Sequence, residues 1–140
     1  WLVALGAETR NAEGMRHFLE AHKNELRGAV YIQIESLSAG NLAYVGKDGY
    51  IKNTKISGRL LRLAEKTARR IGVPIKKVNL NYGESSSSVV QSKHLQALRI
   101  VGELNSKPAF YSDENDTLDY VDNELLEERA AYVLEMIRSI

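Results

Sequence analysis

Acidic side chains crowd the segment FYSDENDTLDYVD (110–122), between an apolar run typical of a strand and a pattern typical of a helix. Carboxylates gather in this way where a protein holds a cation. They also gather before helices, because the positive end of the helix attracts them and an aspartate accepts backbone N–H groups there. The EF-hand spacing, with its central glycine and closing glutamate, is missing, which disfavours calcium. A different cation site and a helix cap both remain open.

A second candidate segment is GAETRNAEG (6–14), which joins the first apolar run to the first helical pattern. In open α/β sheets, ligands bind beyond the carboxyl ends of the strands, which is where Glu8 is expected. Glu8 and Asn11 would serve equally well to complement and cap the helix that follows. A functional and a purely structural role are both compatible with this segment.

The elements that would position these residues alternate between strand and helix. Apolar runs predict buried strands at 1–5 (WLVAL) and 28–37 (GAVYIQIESL), and further strands at 74–82 (PIKKVNLNY) and 95–104 (LQALRIVGEL). Apolar residues at helical spacing predict helices from 13 to the breaker at 28, from 57 to 71 with Gly72 as the stop, and from 125 to 137 with Asp122 as the N-cap. The alternation predicts an α/β domain with a mostly parallel central sheet and helices on both faces.

Two connecting segments are less regular. NLAYVGKDGYIKN (41–53) carries an Asp48-Gly49 turn signal and predicts a hairpin or a looped excursion. ESSSSVVQSKH (84–94) predicts a polar loop leading into a short helix.

Composition limits the classes of protein. A chain of 140 residues with 44% apolar residues is expected to fold as one domain, 1–140. The formal net charge of +1 and a basic segment without interleaved aromatic residues disfavour nucleic acid as a partner. The chain opens at Trp1, inside an apolar run and without a methionine, so we expect a piece of a longer polypeptide that lacks its N-terminal part.

Four segments, in this order and spacing, resemble the di-zinc aminopeptidases. GAETRNAEG resembles the family's G-x-E-E-x-G-L-x-G turn, and YSDENDTLDYVD resembles its Y-H-T-x-x-D-T-x-D-x-I-D loop. YIQIES falls where the family has V-x-N-L-D-M, and ALRIVGEL falls where it has the strand before the histidine loop. This clan includes bacterial leucine aminopeptidases, glutamate carboxypeptidase and the catalytically silent transferrin-receptor ectodomain. The resemblance implies a zinc-exopeptidase-like (phosphorylase/hydrolase-like) fold.

The resemblance also assigns roles to individual residues. Glu8 matches the general base, here vestigial, and Glu35 matches a metal-binding aspartate. Thr9 and Ser112 stand where the family has a metal-binding glutamate and a metal-binding histidine. Asp116 matches a residue that supports the metal site from outside the ligand set.

Further expectations follow from the same resemblance. The remaining metal ligands would come from a segment upstream of this chain. The serine run borders the family's substrate pocket, so Ser85 and Ser86, with Tyr111, are expected to line a groove for a protein or peptide ligand. A membrane tether elsewhere in the parent chain and an extracytoplasmic or membrane-associated location are further expectations.

Three functions follow. The first is a non-catalytic aminopeptidase-like domain that serves as a binding or structural module and needs no cofactor, because threonine and serine hydroxyls are poor zinc ligands. The second is a zinc-dependent exopeptidase whose remaining ligands lie upstream. The third is an α/β module that binds a small ligand at the carboxyl edge of the sheet. We favour the first.

Overall fold

The computed structural model describes residues 1–48, 54–80 and 83–140. Within these residues, helices and strands alternate along the chain in the order α1 (Glu13–Ala21), β1 (Val30–Glu35), β2 (Asn41–Asp48), β3 (Thr54–Lys55), α2 (Gly58–Ile71), β4 (Lys76–Leu80), α3 (Ser86–Ser92), β5 (Gln96–Leu104), β6 (Lys107–Pro108) and α4 (Asn123–Ile137), with a short 3-10 helix (Leu118–Tyr120) before α4.

The strands form one open sheet in the order β1-β5-β2-β3, with β4 paired to β2 and β6 paired to β5. The two longest pairings, β1 with β5 and β2 with β4, are parallel. Strand β2 joins β5 in the antiparallel sense, so the mostly parallel sheet is mixed at its centre. The predicted α/β fold is confirmed.

Helices cover both faces of the sheet, as predicted, and the alternation of side chains along β5 decides which residues each face buries. Leu98 and Ile100 are fully buried in the core under α2 and α4, while Ala97 points the other way, into the core under α1 and α3. Burying a leucine or isoleucine side chain stabilises the fold by about 1.5–3 kcal/mol.

Helix α2 confirms its sequence prediction. Leu60, Ala64 and Ala68 recur at a spacing of four and are buried against the sheet. The helix ends at Gly72, whose φ of 76° is the left-handed conformation that glycine adopts without strain.

The prediction of a buried strand at the start of the chain is wrong. Residues 1–5 belong to no strand in the described part of the chain, and Trp1 and Leu2 are 79% and 98% exposed. The Trp1 ring instead makes edge contacts with Phe18 of α1 and with His22, the residue that follows this helix. An apolar run forms a strand only where a neighbouring strand offers its hydrogen bonds, and here the run lies against a helix.

The strand at 28–37 is confirmed as β1, but it is only partly buried. β1 lies at an edge of the described sheet and pairs only with β5 there, which leaves Ile34 44% exposed. The strands predicted at 74–82 and 95–104 are confirmed as β4 and β5, although residues 81 and 82 lie outside the described residues. The antiparallel pairing of β2 with β3 confirms the predicted hairpin. The turn predicted at 48–49 lies largely outside the described residues.

The short helix predicted within 84–94 is confirmed as α3, but the serine run does not form the polar loop that was predicted to precede it. Ser86 begins α3, and the four serines 85–88 are buried. Ser85 and Ser88 form a capping box in which each side chain accepts the other's backbone N–H. Because the hydroxyls satisfy the first turn of the helix, these polar residues can be buried.

The loop that follows β1 is fixed from two sides. Gly102 of β5 lies under it so closely that a Cβ there would be 2.0 Å from the Ser36 carbonyl oxygen and 2.1 Å from that of Ala39. The buried Arg129 of α4 donates from Nη1 to the carbonyls of Leu37 and Ala39 at 2.8 Å. It also donates from Nη2 to the carbonyl of residue 40 at 2.7 Å. The loop therefore holds the carboxyl end of β1 in a fixed position.

Candidate functional site

A cavity of about 10 Å³ lies at the carboxyl end of β1. Its size is comparable to one water molecule. Six residues from five segments line it: Glu8, Glu35, Glu84, Ser85, Arg99 and Tyr111. Four of them were predicted as site residues, namely Glu8, Glu35, Ser85 and Tyr111. We refer to these six residues as the pocket. Ser86, also predicted, contacts the pocket through Glu8.

The loop before α1 places Glu8 in the pocket. This loop folds back so tightly that a Cβ on Gly14 would lie only 2.2 Å from the Gly6 carbonyl oxygen. The backbone N–H of Ala12 donates to the Glu8 carbonyl at 3.0 Å and closes the turn. The glutamate side chain is thereby directed toward α3.

Both carboxylate oxygens of Glu8 accept hydrogen bonds. Oε1 accepts from Gln33 Nε2 at 3.0 Å and from the Ser86 backbone N–H at 2.8 Å. Oε2 accepts from the Ser86 hydroxyl. A carboxylate held by several donors is a strong anchor, because hydrogen bonds to a charged group are the stronger kind.

Gln33 connects two carboxylates of the pocket, those of Glu8 and Glu35. It is 7% exposed, and its Oε1 accepts from the backbone N–H of Ser87 at 2.8 Å. Its Nε2 bonds Glu8 and lies 3.5 Å from Glu35 Oε2. One side-chain amide therefore ties β1 both to α3 and to the loop that carries Glu8.

Glu35 is paired with a buried cation. Arg99 of β5 is 2% exposed, and its Nη2 and Nε lie 2.5 Å and 3.1 Å from Glu35 Oε2. Sequence reasoning missed both Arg99 and Gln33. The signal was present: Arg99 interrupts an otherwise apolar strand, and in the parallel register it lies beside Gln33, on the same face of the sheet as Glu35.

Tyr31 borders this network. Burial raises the pKa of the Tyr31 hydroxyl above its ordinary value of 10.0, and the hydrogen bond with the Ser86 side chain opposes that shift in part. The phenol therefore stays protonated at neutral pH and contributes a neutral polar group to the site.

The remaining predicted residues do not join the pocket in the described structure. Thr9, Ser112 and Asp116 are exposed, and none of them lines the cavity. The roles suggested for them by resemblance remain predictions. In the acidic segment, the structure bears out the helix-cap interpretation: Asp122 Oδ1 accepts the Leu125 backbone N–H at 3.0 Å at the start of α4.

The donor set of the pocket does not fit the zinc ions that the resemblance implies. A catalytic zinc takes about three protein ligands. Within residues 1–48, 54–80 and 83–140, no three histidine, cysteine, aspartate or glutamate side chains are grouped to hold a metal ion. The two carboxylates of Glu8 and Glu35 face Gln33, Ser86 and Arg99 instead.

Solved structures with a similar fold include aminopeptidases. The LapA aminopeptidase of Legionella pneumophila has a TM-score of 0.75 and 13% identity, over 94% of this chain and 37% of that protein. BSAP, a zinc aminopeptidase from Bacillus subtilis, has a TM-score of 0.74 and 15% identity, over 97% of this chain and 34% of that protein. This chain thus spans about a third of the length of these aminopeptidases.

The fold is shared with a second class of enzyme. A futalosine hydrolase mutant of Helicobacter pylori has a TM-score of 0.62 and 11% identity, over 95% of this chain and 77% of that protein. No protein-family model matches the chain, and the search of curated proteins finds no significant match. The chain therefore has an α/β fold similar to part of the zinc aminopeptidases.

Proposed function

We propose that this chain is a non-catalytic, aminopeptidase-like domain that acts as a binding or structural module of a larger protein. The observation that carries the proposal is the state of Glu8. A general base must offer an acceptor site on its carboxylate to the proton that it removes, and a carboxylate has about four such sites. Hydrogen bonds from Ser86 and Gln33 occupy three of the sites on Glu8 and involve both of its oxygens. Glu8 thus serves as an anchor between the first loop, β1 and α3.

The proposed module needs no metal cofactor and takes a protein or peptide ligand. The fold similarity to peptidases supports a ligand of peptide chemistry, and the formal net charge of +1 gives no electrostatic reason for nucleic acid. The location that we propose is extracytoplasmic or membrane-associated, with any tether elsewhere in the parent chain. None of the helices that the structure describes is long and apolar enough to cross a membrane.

The test is metal analysis of the protein expressed at the full length of its gene, together with hydrolysis of aminoacyl-anilides by the wild type and by Glu8→Ala. The proposal predicts no stoichiometric zinc and no turnover by either protein. Stoichiometric zinc with turnover that disappears in Glu8→Ala would overturn it.

The second candidate is a zinc-dependent exopeptidase. The position of Glu8 and Glu35 in one pocket, in a fold shared with zinc aminopeptidases, favours this alternative. It predicts tight zinc in the same experiment. A small-ligand site at this pocket is not supported, because a cavity of about 10 Å³ holds no more than a water molecule.

A further inference from the structure

We infer that Arg99 supplies, from within the polypeptide, the positive charge that balances Glu35, so that the pocket is built around an ion pair and takes up no divalent ion. This inference deepens the proposed non-catalytic function and rests on it, because that proposal identifies the pocket as the site. It gives Arg99 a positioning role: the guanidinium holds Glu35 and, through Gln33, the network that includes Glu8.

Burial requires the pairing. Arg99 is 2% exposed, and an isolated charge removed from water to that degree is strongly disfavoured. Two of its nitrogen atoms lie 2.5 Å and 3.1 Å from the same Glu35 oxygen. The carboxylate at position 35 therefore compensates the charge of the arginine that is buried at position 99.

The backbone fixes the pair in place. Strands β1 and β5 run parallel with Gln33 beside Arg99, and Glu35 lies two residues further along the same face. Gln33 Nε2 lies within 3.5 Å of oxygens from both Glu8 and Glu35. The cluster thus contains two carboxylates, one bridging amide and one guanidinium, all anchored on strands or on tight loops.

A guanidinium differs from a bound metal ion in ways that matter here. It stays charged at every pH at which a protein folds, and it is present as soon as the chain is made. Its fork of N–H donors also occupies one of the two Glu35 oxygens, and its positive charge repels a divalent ion. The pocket of the wild-type protein should therefore exclude zinc.

The test is a double-mutant cycle of unfolding stability with Arg99→Met, Glu35→Gln and the combined variant. Removing one member of a buried pair leaves the other uncompensated, whereas removing both leaves little to compensate. Since Glu35 is 20% exposed, we expect each single variant to raise the unfolding equilibrium constant about 10- to 100-fold. The combined variant should fall well short of the product of the two. The exposed pair Arg70–Glu135, at 3.0 Å, is the matched control, and its cycle should show a coupling below about fivefold.

Two further measurements make the test decisive even if Arg99→Met fails to fold. Arg99→Lys retains the charge and should remain folded with an intermediate stability. Zinc is also titrated into the wild type and into Glu35→Gln, and binding is measured by calorimetry. The wild type should show no zinc binding that is lost in Glu35→Gln. Independent effects in the cycle, with no zinc bound, would overturn the inference and leave the non-catalytic function standing. Zinc binding that depends on Glu35 would overturn both.

Discussion

Ser86 donates twice to Glu8, with its backbone N–H to Oε1 at 2.8 Å and with its hydroxyl to Oε2. This pair fastens the loop before α1 to the first turn of α3. A residue that resembles a general base is thus built into the framework of the domain, and its removal has a measurable structural consequence.

Glu8→Ala should lower the free energy of unfolding by about 2 kcal/mol, because hydrogen bonds to a charged group are lost and the partly buried donors of Ser86 and Gln33 are left unpaired. Urea denaturation measures this change. Glu13→Ala is the control, since the Glu13 side chain is 49% exposed and its contact with Arg10, at 3.9 Å, is loose. Equal stabilities of the two variants would contradict the anchoring role of Glu8.

Gly102→Ala should destabilise the fold by about 3 kcal/mol. The added methyl group would meet two backbone carbonyl oxygens at 2.0 Å and 2.1 Å, and the loop at 36–40 that Arg129 holds cannot move away freely. Gly6→Ala is the matched control, because a Cβ there meets nothing within 4 Å. Denaturation curves for the two variants give the comparison, and a loss below 1 kcal/mol for Gly102→Ala would show that the loop is free to shift.

Glu103 should make the stability of the domain depend on acid pH. Two hydrogen bonds hold the pKa of the buried Glu103 below its ordinary value of 4.5. The larger effect comes from the Lys76 side chain and the smaller one from the backbone N–H of Ser106. The unfolded chain therefore binds the proton more readily, so this contribution is fully present above about pH 4.5 and is lost as the pH falls through the lower, folded pKa.

Glu103→Gln tests this dependence. At pH 7 the variant should be about 2 kcal/mol less stable than the wild type, since the charged acceptor for Lys76 and Ser106 is gone. The difference should shrink steadily below pH 4.5 in urea midpoints measured at a series of pH values. A difference that stays constant down to pH 3 would rule out a lowered pKa as its cause.

Asp122→Ala should cost about 1 kcal/mol, because the N-cap of α4 loses the bond to the Leu125 N–H. Asp119→Ala, in the same acidic segment, should cost less than half as much, since its side chain is exposed and caps no α-helix. Thermal unfolding distinguishes the two, and equal losses would mean that the segment acts through its summed charge.

Much of the fold was predictable because local signals agreed with the tertiary structure. The stripe of Leu60, Ala64 and Ala68 together with the stop at Gly72 is sufficient for α2, and Asp122 marks the start of α4. The first apolar run misled because burial in a strand depends on a neighbour that the sequence of the run does not reveal. Trp1 therefore packs on α1.

The site was harder to predict than the fold. Glu8 and Glu35 were found through motif resemblance, and the structure places both in one pocket. Arg99 was missed because an arginine in an apolar strand looks like an exposed position until the register places it beside Gln33, on the same face of the sheet as Glu35. The burial of the serine run was missed for a related reason: the capping box that satisfies its hydroxyls forms only once α3 begins at Ser86.

Crystals of the protein soaked in zinc and measured at the zinc absorption edge test the central claim most directly. The account predicts no anomalous peak in the pocket between Glu8, Glu35 and the loop that carries Ser112, with Arg99 still on Glu35. A strong peak there, with the guanidinium displaced, would contradict it.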